Sequence, residues 1–158
     1  MQSIEINNNI FVLKVQKSPF ILRYFILLLS LTSIIAPLIG MFFRIKYGGG
    51  IHFSNILFLG FFSLLGLYLF RIFLWNSYGK EKIEIDQLQV KYTLDYSLFK
   101  SQRIALISKK VFSINKIGYE EDNLGTLVIG EGENTFESVV KIKIEQLEQL
   151  ILDITTPE

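Results

Sequence analysis

The sequence predicts a pair of membrane-spanning helices joined to an α+β module of antiparallel strands that ends in one helix. Two apolar runs, residues 24–43 and 51–70, contain no Asp, Glu, Lys or Arg. A helix of that length reaches roughly 30 Å, the thickness of the hydrocarbon layer of a bilayer. After Gly79 apolar and polar residues alternate, which is typical of half-buried strands. Near residue 150 apolar residues recur at steps of three and four, which indicates an amphipathic helix.

Composition and charge narrow the class of protein. Half of the 158 residues are apolar, and 16 basic residues nearly balance 15 acidic ones, so net charge gives no reason to expect a nucleic-acid partner. The balance is uneven along the chain, because Glu5 is the only acidic residue before position 80. Without cysteine the chain forms no disulfide, thiolate nucleophile or Cys-based metal site.

The chain begins with a segment that resembles a strand hairpin. In residues 1–19 the stretch "SIEINNNIFVLKVQ" alternates around an Asn-rich turn, so we expect two short strands. We expect this hairpin on the same side of the membrane as the later strands, to whose sheet it could add.

The first apolar run is expected to be a retained anchor, because the region before it is too long for a signal peptide and no A-x-A-like site follows. Pro37 lacks a backbone donor, so we expect the helix to bend or loosen near residues 33–36. A bend that serves packing is the preferred interpretation, and a gate is the alternative. Together the two runs form a predicted membrane hairpin over residues 20–78.

The second run carries small residues at Gly60, Ser63 and Gly66, a stripe that would let another helix approach closely. That partner is either the first helix or a second copy of the chain. Basic and aromatic residues flank both runs, as is typical of headgroup levels. The predicted interface anchors are Arg23, Tyr24, Arg44, Lys46, Arg71, Trp75 and Tyr78.

Basic residues in the short flanking segments predict the orientation. Three precede the first apolar run (Lys14, Lys17 and Arg23) and three follow the second (Arg71, Lys80 and Lys82), whereas the connecting loop has only Arg44 and Lys46. This bias predicts a multi-pass protein of the cell membrane with both termini in the cytoplasm.

Residues 79–158 are predicted to form a cytoplasmic module. One strand face begins with Ile83 and Ile85 and continues with Leu88, Val90, Tyr92 and Leu94. Further strands are predicted over residues 102–108, 111–118, 125–130 and 134–138, the last closing a hairpin through a turn at 130–133. The helix stripe consists of Ile144, Leu147, Ile151 and Ile154, and it is expected to pack on the sheet or on the open end of a barrel.

This arrangement resembles a known architecture. Two spans, a Trp-Asn pair at Trp75 and Asn76, Gly79, alternating strands and a closing helix resemble the bacterial membrane-anchored proteins with a pleckstrin-homology-like domain. A more distant resemblance is to the two-span photosystem I assembly proteins. The resemblance implies a small antiparallel β-barrel or sandwich capped by a C-terminal helix, generally used to bind or assemble other proteins. It supplies no catalytic residues.

Charged residues in the module suggest a surface contact. Its basic stretch contains Lys100, Arg103, Lys109, Lys110 and Lys116. These side chains either solvate strand edges, which is the preferred interpretation, or contact the membrane or a partner. Acidic residues between Glu120 and Glu137 leave weak cation binding open. His52, the only histidine, has no Asp or Glu near it in the sequence and is interpreted as an interfacial polar residue.

The sequence therefore predicts a non-enzymatic membrane protein that presents its module for protein interaction or complex assembly. Its expected partners are the lipid bilayer and other membrane proteins or a second copy, without a cofactor, metal ion or small-molecule substrate. The alternative is a small subunit of an oligomeric transporter or channel, which the lack of ionisable groups within the spans disfavours.

Overall fold

The computed structural model describes residues 4–7, 10–86, 89–106, 111–131 and 135–155. The chain divides into two compact units, one formed by residues 17–78 and the other by the segments on either side of them. In chain order the elements are β1 (Ile4–Asn7), β2 (Ile10–Lys14), α1 (Phe20–Lys46), α2 (Phe53–Tyr78), β3 (Lys80–Ile85), β4 (Gln89–Asp95), β5 (Lys100–Leu106), β6 (Phe112–Lys116), a 3₁₀ turn (Glu120–Asp122), β7 (Leu124–Ile129), β8 (Phe136–Glu137), β9 (Ile142–Lys143) and α3 (Ile144–Thr155).

The first unit is a pair of helices, each long and apolar enough to cross a membrane. Both helices are longer than the predicted spans. The second span was predicted to end before Arg71 because a charged side chain is costly inside lipid. Arginine is nevertheless a good helix former, and α2 continues to Tyr78. Helix α1 runs on through Pro37 to Lys46. Very little of either helix is buried within the unit, and most of their large apolar side chains are exposed.

The second unit contains a five-stranded antiparallel sheet in the order β1-β2-β3-β4-β5. The helix pair is inserted between two neighbouring strands of this sheet, because β2 precedes α1 and β3 follows α2. Leu13 of β2 pairs with Glu81 of β3, and beyond the last strand pair the Val15 amide donates to the Gly79 carbonyl over 3.1 Å. The N-terminal hairpin therefore adds two strands to the later sheet.

In a second, smaller sheet β7 is the central strand. It pairs with β6 and with β8, and its first two residues pair with β9. The pairing of β7 with β8 agrees with the predicted hairpin there, although residues 132–134 of its turn lie outside the described part of the chain. Helix α3 contacts β6, β7 and β9. Among the described strands no pairing joins the two sheets, so the barrel form of the prediction is wrong for them.

The two sheets are connected by contacts between apolar side chains and by hydrogen bonds from the amides of Val139 and Val140 to the Glu81 carboxylate. The rings of Tyr92 and Phe136, from different sheets, lie 4.0 Å apart between centroids. Val90, Ile83 and Leu127 are fully buried. In α3 the buried residues are Leu147 and Leu150, so the apolar face includes Leu150, which the predicted stripe omitted. Leu88 of the predicted strand face lies outside the described residues.

Candidate functional site

The two long helices meet closely at one point near their middle. The Ser30 hydroxyl donates to the Gly66 carbonyl oxygen over 2.8 Å, and both residues are buried. A Cβ added to Gly66 would lie 2.5 Å from Cγ1 of Ile34 and 3.0 Å from the Ser30 carbonyl oxygen. Gly66 thus permits the contact, whereas a Cβ at Gly60 would meet nothing within 4 Å. The small-residue stripe is therefore used at Gly66 against α1, and Gly60 takes no part in that contact.

Toward the loop between the helices, residues of α1 and α2 line an open groove of about 670 Å³. Its walls are mostly apolar, with polar atoms supplied by Thr32, Ser33, Arg44, Ser54 and Asn55. The Arg44 guanidinium donates to the Asn55 side-chain oxygen over 3.4 Å. At the other end of the pair, the Ser18 hydroxyl donates to the Asn76 side-chain oxygen over 2.9 Å. These contacts show that the helices run antiparallel.

The predicted interface anchors separate into two groups along this antiparallel pair. Arg44 and Lys46 lie in the last turn of α1, at the loop end, where His52 is also exposed. The other five lie in the first turns of α1 or the last turns of α2, at the opposite end: Arg23, Tyr24, Arg71, Trp75 and Tyr78. Most of the length of α1 (27 residues) and of α2 (26 residues) therefore separates the two groups.

Strand β5 is an exposed edge of the five-stranded sheet. Of the described strands only β4 pairs with it, and six of its seven residues are exposed. Ile104 and Leu106 are 62% and 72% exposed on one face. Edge strands present unpaired backbone groups that can accept a further strand. This edge is therefore a candidate interaction surface of the described β unit.

The predicted basic stretch is divided by the fold. Lys100 and Arg103 both lie on β5. They are three residues apart, and side chains alternate along a strand, so these two lie on opposite faces of the sheet. The Lys100 ammonium lies 3.2 Å from the Asp95 carboxylate. Lys116 belongs to β6 in the other sheet, and Lys109 and Lys110 lie outside the described residues. The stretch therefore does not form one continuous patch on a single strand face.

The turn between β4 and β5 has an apolar tip. The Tyr96 amide donates to the Phe99 carbonyl over 3.0 Å, which leaves Ser97 and Leu98 as the two central residues. Ser97 has a φ of 78°, and the Asp95 side chain accepts a hydrogen bond from its amide over 2.8 Å. Positive φ at the first central residue is typical of type II′ turns. Leu98 is 70% exposed at this tip.

Sequence reasoning missed a buried acid. Glu81 is fully buried on β3, where its carboxylate accepts hydrogen bonds from the Tyr92 hydroxyl and from the amides of Val139 (2.6 Å) and Val140 (3.2 Å). Burial raises the pKa of Glu81, and the three hydrogen bonds offset part of that shift. Burial, followed by the neighbouring carboxylate, also raises the pKa of Tyr92.

One signal could have identified this acid. In a strand, residues two apart share a face, so Glu81 lies on the same face as Ile83 and Ile85. Its carboxylate connects the first sheet with the segment between β8 and β9, which is a structural role.

One member of the acidic stretch, Glu137, is held by local hydrogen bonds. The Glu137 carboxylate accepts hydrogen bonds from the Asn115 amide over 2.8 Å and the Thr126 hydroxyl over 2.6 Å. Within the described residues no group of three His, Asp or Glu side chains is arranged to hold a metal ion.

Comparison with known proteins adds no further constraint: no protein-family model, curated protein or solved structure matches the chain.

Proposed function

We propose that this chain is a non-enzymatic integral membrane protein whose helix pair holds the β unit at the cytoplasmic surface of the cell membrane, where it binds or helps to assemble other membrane proteins. The observation that carries the proposal is the exposure of the two long helices. Phe61 and Leu64 of α2, for example, are 64% and 70% exposed. Apolar surface on this scale is stable in hydrocarbon and unfavourable in water.

The pairing of β2 with β3 supports a hairpin that crosses the membrane twice. Neighbouring strands of one sheet must lie on one side of a bilayer, so the chain between them crosses an even number of times. Two helices between Lys14 and Lys80 satisfy this requirement. The excess of basic residues outside the loop favours the cytoplasm as that side.

The exposed edge of β5 supports a role in protein binding. A partner strand added to β5 would satisfy its unpaired backbone groups, and Ile104 and Leu106 would supply apolar contact on one face. Because the helices confine the β unit to the membrane surface, its effective concentration for membrane partners is raised. The pleckstrin-homology-like resemblance agrees with such a role and remains a proposal.

Three measurements test the proposal. Alkaline carbonate should leave the full chain in the membrane pellet, and tags at its two ends should be accessible from the same side. A photo-crosslinking residue at Ile104 should then give a discrete product with a membrane protein. The matched control is Leu152, an apolar residue on α3 that is similarly exposed, at 58% against 62%. Release by carbonate, tags on opposite sides, or equal crosslinking from both positions would contradict the proposal.

The groove between α1 and α2 favours a second function, that of a subunit in an oligomeric transporter or channel. Polar atoms of Arg44 and Asn55 lie at the wall of this groove, and polar groups along a route through the membrane are typical of transporters and channels. Two helices cannot enclose a path, so this function requires several copies. Ion flux in vesicles that Arg44→Leu abolishes would favour it, whereas a monomeric chain without flux would exclude it.

A further inference from the structure

At one end of the five-stranded sheet the chain leaves β2 toward α1 and returns from α2 into β3. Strand register aligns Lys14, Lys80, Asp95 and Lys100 in a row across β2 to β5. From Lys14 the chain continues toward α1, and only one residue separates Lys80 from Tyr78, the last residue of α2. One residue spans at most about 3.6 Å, so covalent geometry keeps this row near the point where α2 ends.

The β4–β5 turn extends beyond this row. Its two central residues, Ser97 and Leu98, follow the Asp95–Lys100 pair by two positions, a projection of about 7 Å at the rise of a strand. Neighbouring strands are about 4.8 Å apart, so the turn between β4 and β5 lies about 5 to 10 Å sideways from β3. The tip of the turn is therefore at the end of the sheet where the chain leaves β2 toward α1 and enters β3 after α2.

The chemistry of the turn is unusual for a tip facing water. Short hairpin turns are usually built from Gly, Asn and Asp, yet this one exposes Leu98 at 70% and Phe99 at 40%, with the Phe99 ring stacked on Tyr96 at 4.6 Å. The adjacent row contains three lysines and one aspartate. Apolar side chains beside cationic ones match the boundary between acyl chains and anionic headgroups.

We infer that the β4–β5 turn inserts Leu98 and Phe99 into the headgroup layer of the membrane that the helices cross, with the lysine row against anionic headgroups. The inference rests on the proposed membrane insertion of the helix pair and goes further, because it gives the β unit a second attachment to the bilayer. That attachment restricts rotation of the β unit and determines which strand edge faces along the membrane surface. The occupant is lipid and not protein, because two side chains on a convex tip form no groove for a polypeptide.

The absence of cysteine makes a direct test simple. A nitroxide is attached at Leu98→Cys in the full chain, reconstituted in vesicles of equal parts phosphatidylcholine and phosphatidylglycerol. The control is Asp86→Cys, an exposed residue in the turn at the opposite end of the same sheet. At position 98 we expect collisions with oxygen to exceed those with a water-soluble nickel chelate several-fold, and at position 86 the reverse. Ser97→Cys provides a second site in the same turn and should behave like position 98.

Each other outcome is informative. Nickel accessibility at 97 and 98 equal to that at 86, in a chain that resists carbonate, overturns the inference and leaves the proposed function standing. Shielding of position 98 from both oxygen and nickel indicates a protein contact and overturns lipid as the occupant. Release of the chain by carbonate overturns both, because the membrane itself is then lost.

Discussion

Glu81 and Tyr92 are diagonal neighbours on adjacent strands, and the Tyr92 hydroxyl donates a hydrogen bond to the Glu81 carboxylate inside the β unit. The same carboxylate accepts the amides of Val139 and Val140 from the segment that precedes β9. Removing one partner from such a buried group usually costs more than the bond itself contributes. Glu81 therefore controls how the first sheet is joined to the second.

Glu81 should make the stability of the β unit depend on pH. Its pKa is raised above 4.5 by burial, so the folded chain keeps a proton that the unfolded chain has already released. Stability contributed by this group is therefore present below pH 4.5 and is lost as pH rises through the raised value. The free energy of unfolding of the wild type minus that of Glu81→Gln should decrease across this window, measured by denaturation in detergent and near-ultraviolet circular dichroism.

Glu84→Gln is the matched control on the same strand. Hydrogen bonds from Lys82 and then Lys91 lower the pKa of Glu84, so its contribution has the opposite sign and is lost as pH falls. Its effect should be small, because the pair is partly exposed. A wild-type advantage over Glu81→Gln that grows with pH would contradict the assignment of Glu81.

Tyr92→Phe should destabilise the β unit by about 1–3 kcal/mol, because it removes one donor from a buried carboxylate. The ring contact with Phe136 is retained in this variant, so the loss reports the hydroxyl alone. Denaturant unfolding in detergent measures the change. Tyr119→Phe is the control, since Tyr119 is 84% exposed, and it should be neutral. Equal effects of the two substitutions would show that the hydroxyl of Tyr92 contributes no stability.

Gly66→Ala should weaken the helix pair by about 1–3 kcal/mol, because the added methyl group overlaps Ile34 and presses on the Ser30 carbonyl. Gly60→Ala adds the same methyl group to open space and should be neutral or slightly stabilising, since Ala favours helix over Gly. Thermal unfolding in detergent, followed by far-ultraviolet circular dichroism, compares the two. Equal melting temperatures would argue against the close approach of α1 and α2 at Gly66.

Ser97→Gly should stabilise the β4–β5 turn by up to about 1 kcal/mol, because Ser97 adopts a φ of 78° that a residue with a Cβ disfavours. Ser101→Gly, in the adjoining strand, should instead be destabilising because glycine weakens strands. Amide hydrogen exchange at Tyr96 reports the opening of the turn in both variants. Faster exchange in Ser97→Gly than in the wild type would contradict this account.

Pattern and length predicted the elements well where local signals dominate. Uncharged runs of twenty residues indicated both helices, and alternation indicated the strands around Ile83 and Val90, because burial of one strand face leaves a period of two in the sequence. The ends of the helices did not coincide with the ends of the apolar runs. No local rule separates the end of a span from the end of a helix, so the extension of α2 from Phe70 to Tyr78 was not predictable.

The sequence by itself determined the kinds and order of elements: two apolar helices, a series of strands and a closing amphipathic helix, because each leaves its own periodicity in the chain. The tertiary structure decided which of those elements contact one another and through which residues. Pairing of β2 with β3 across the inserted helices, the contact of Gly66 with α1, and the hydrogen bonds from Val139 and Val140 to Glu81 all join residues distant in sequence. Such contacts depend on strand register and helix packing, which no local pattern specifies.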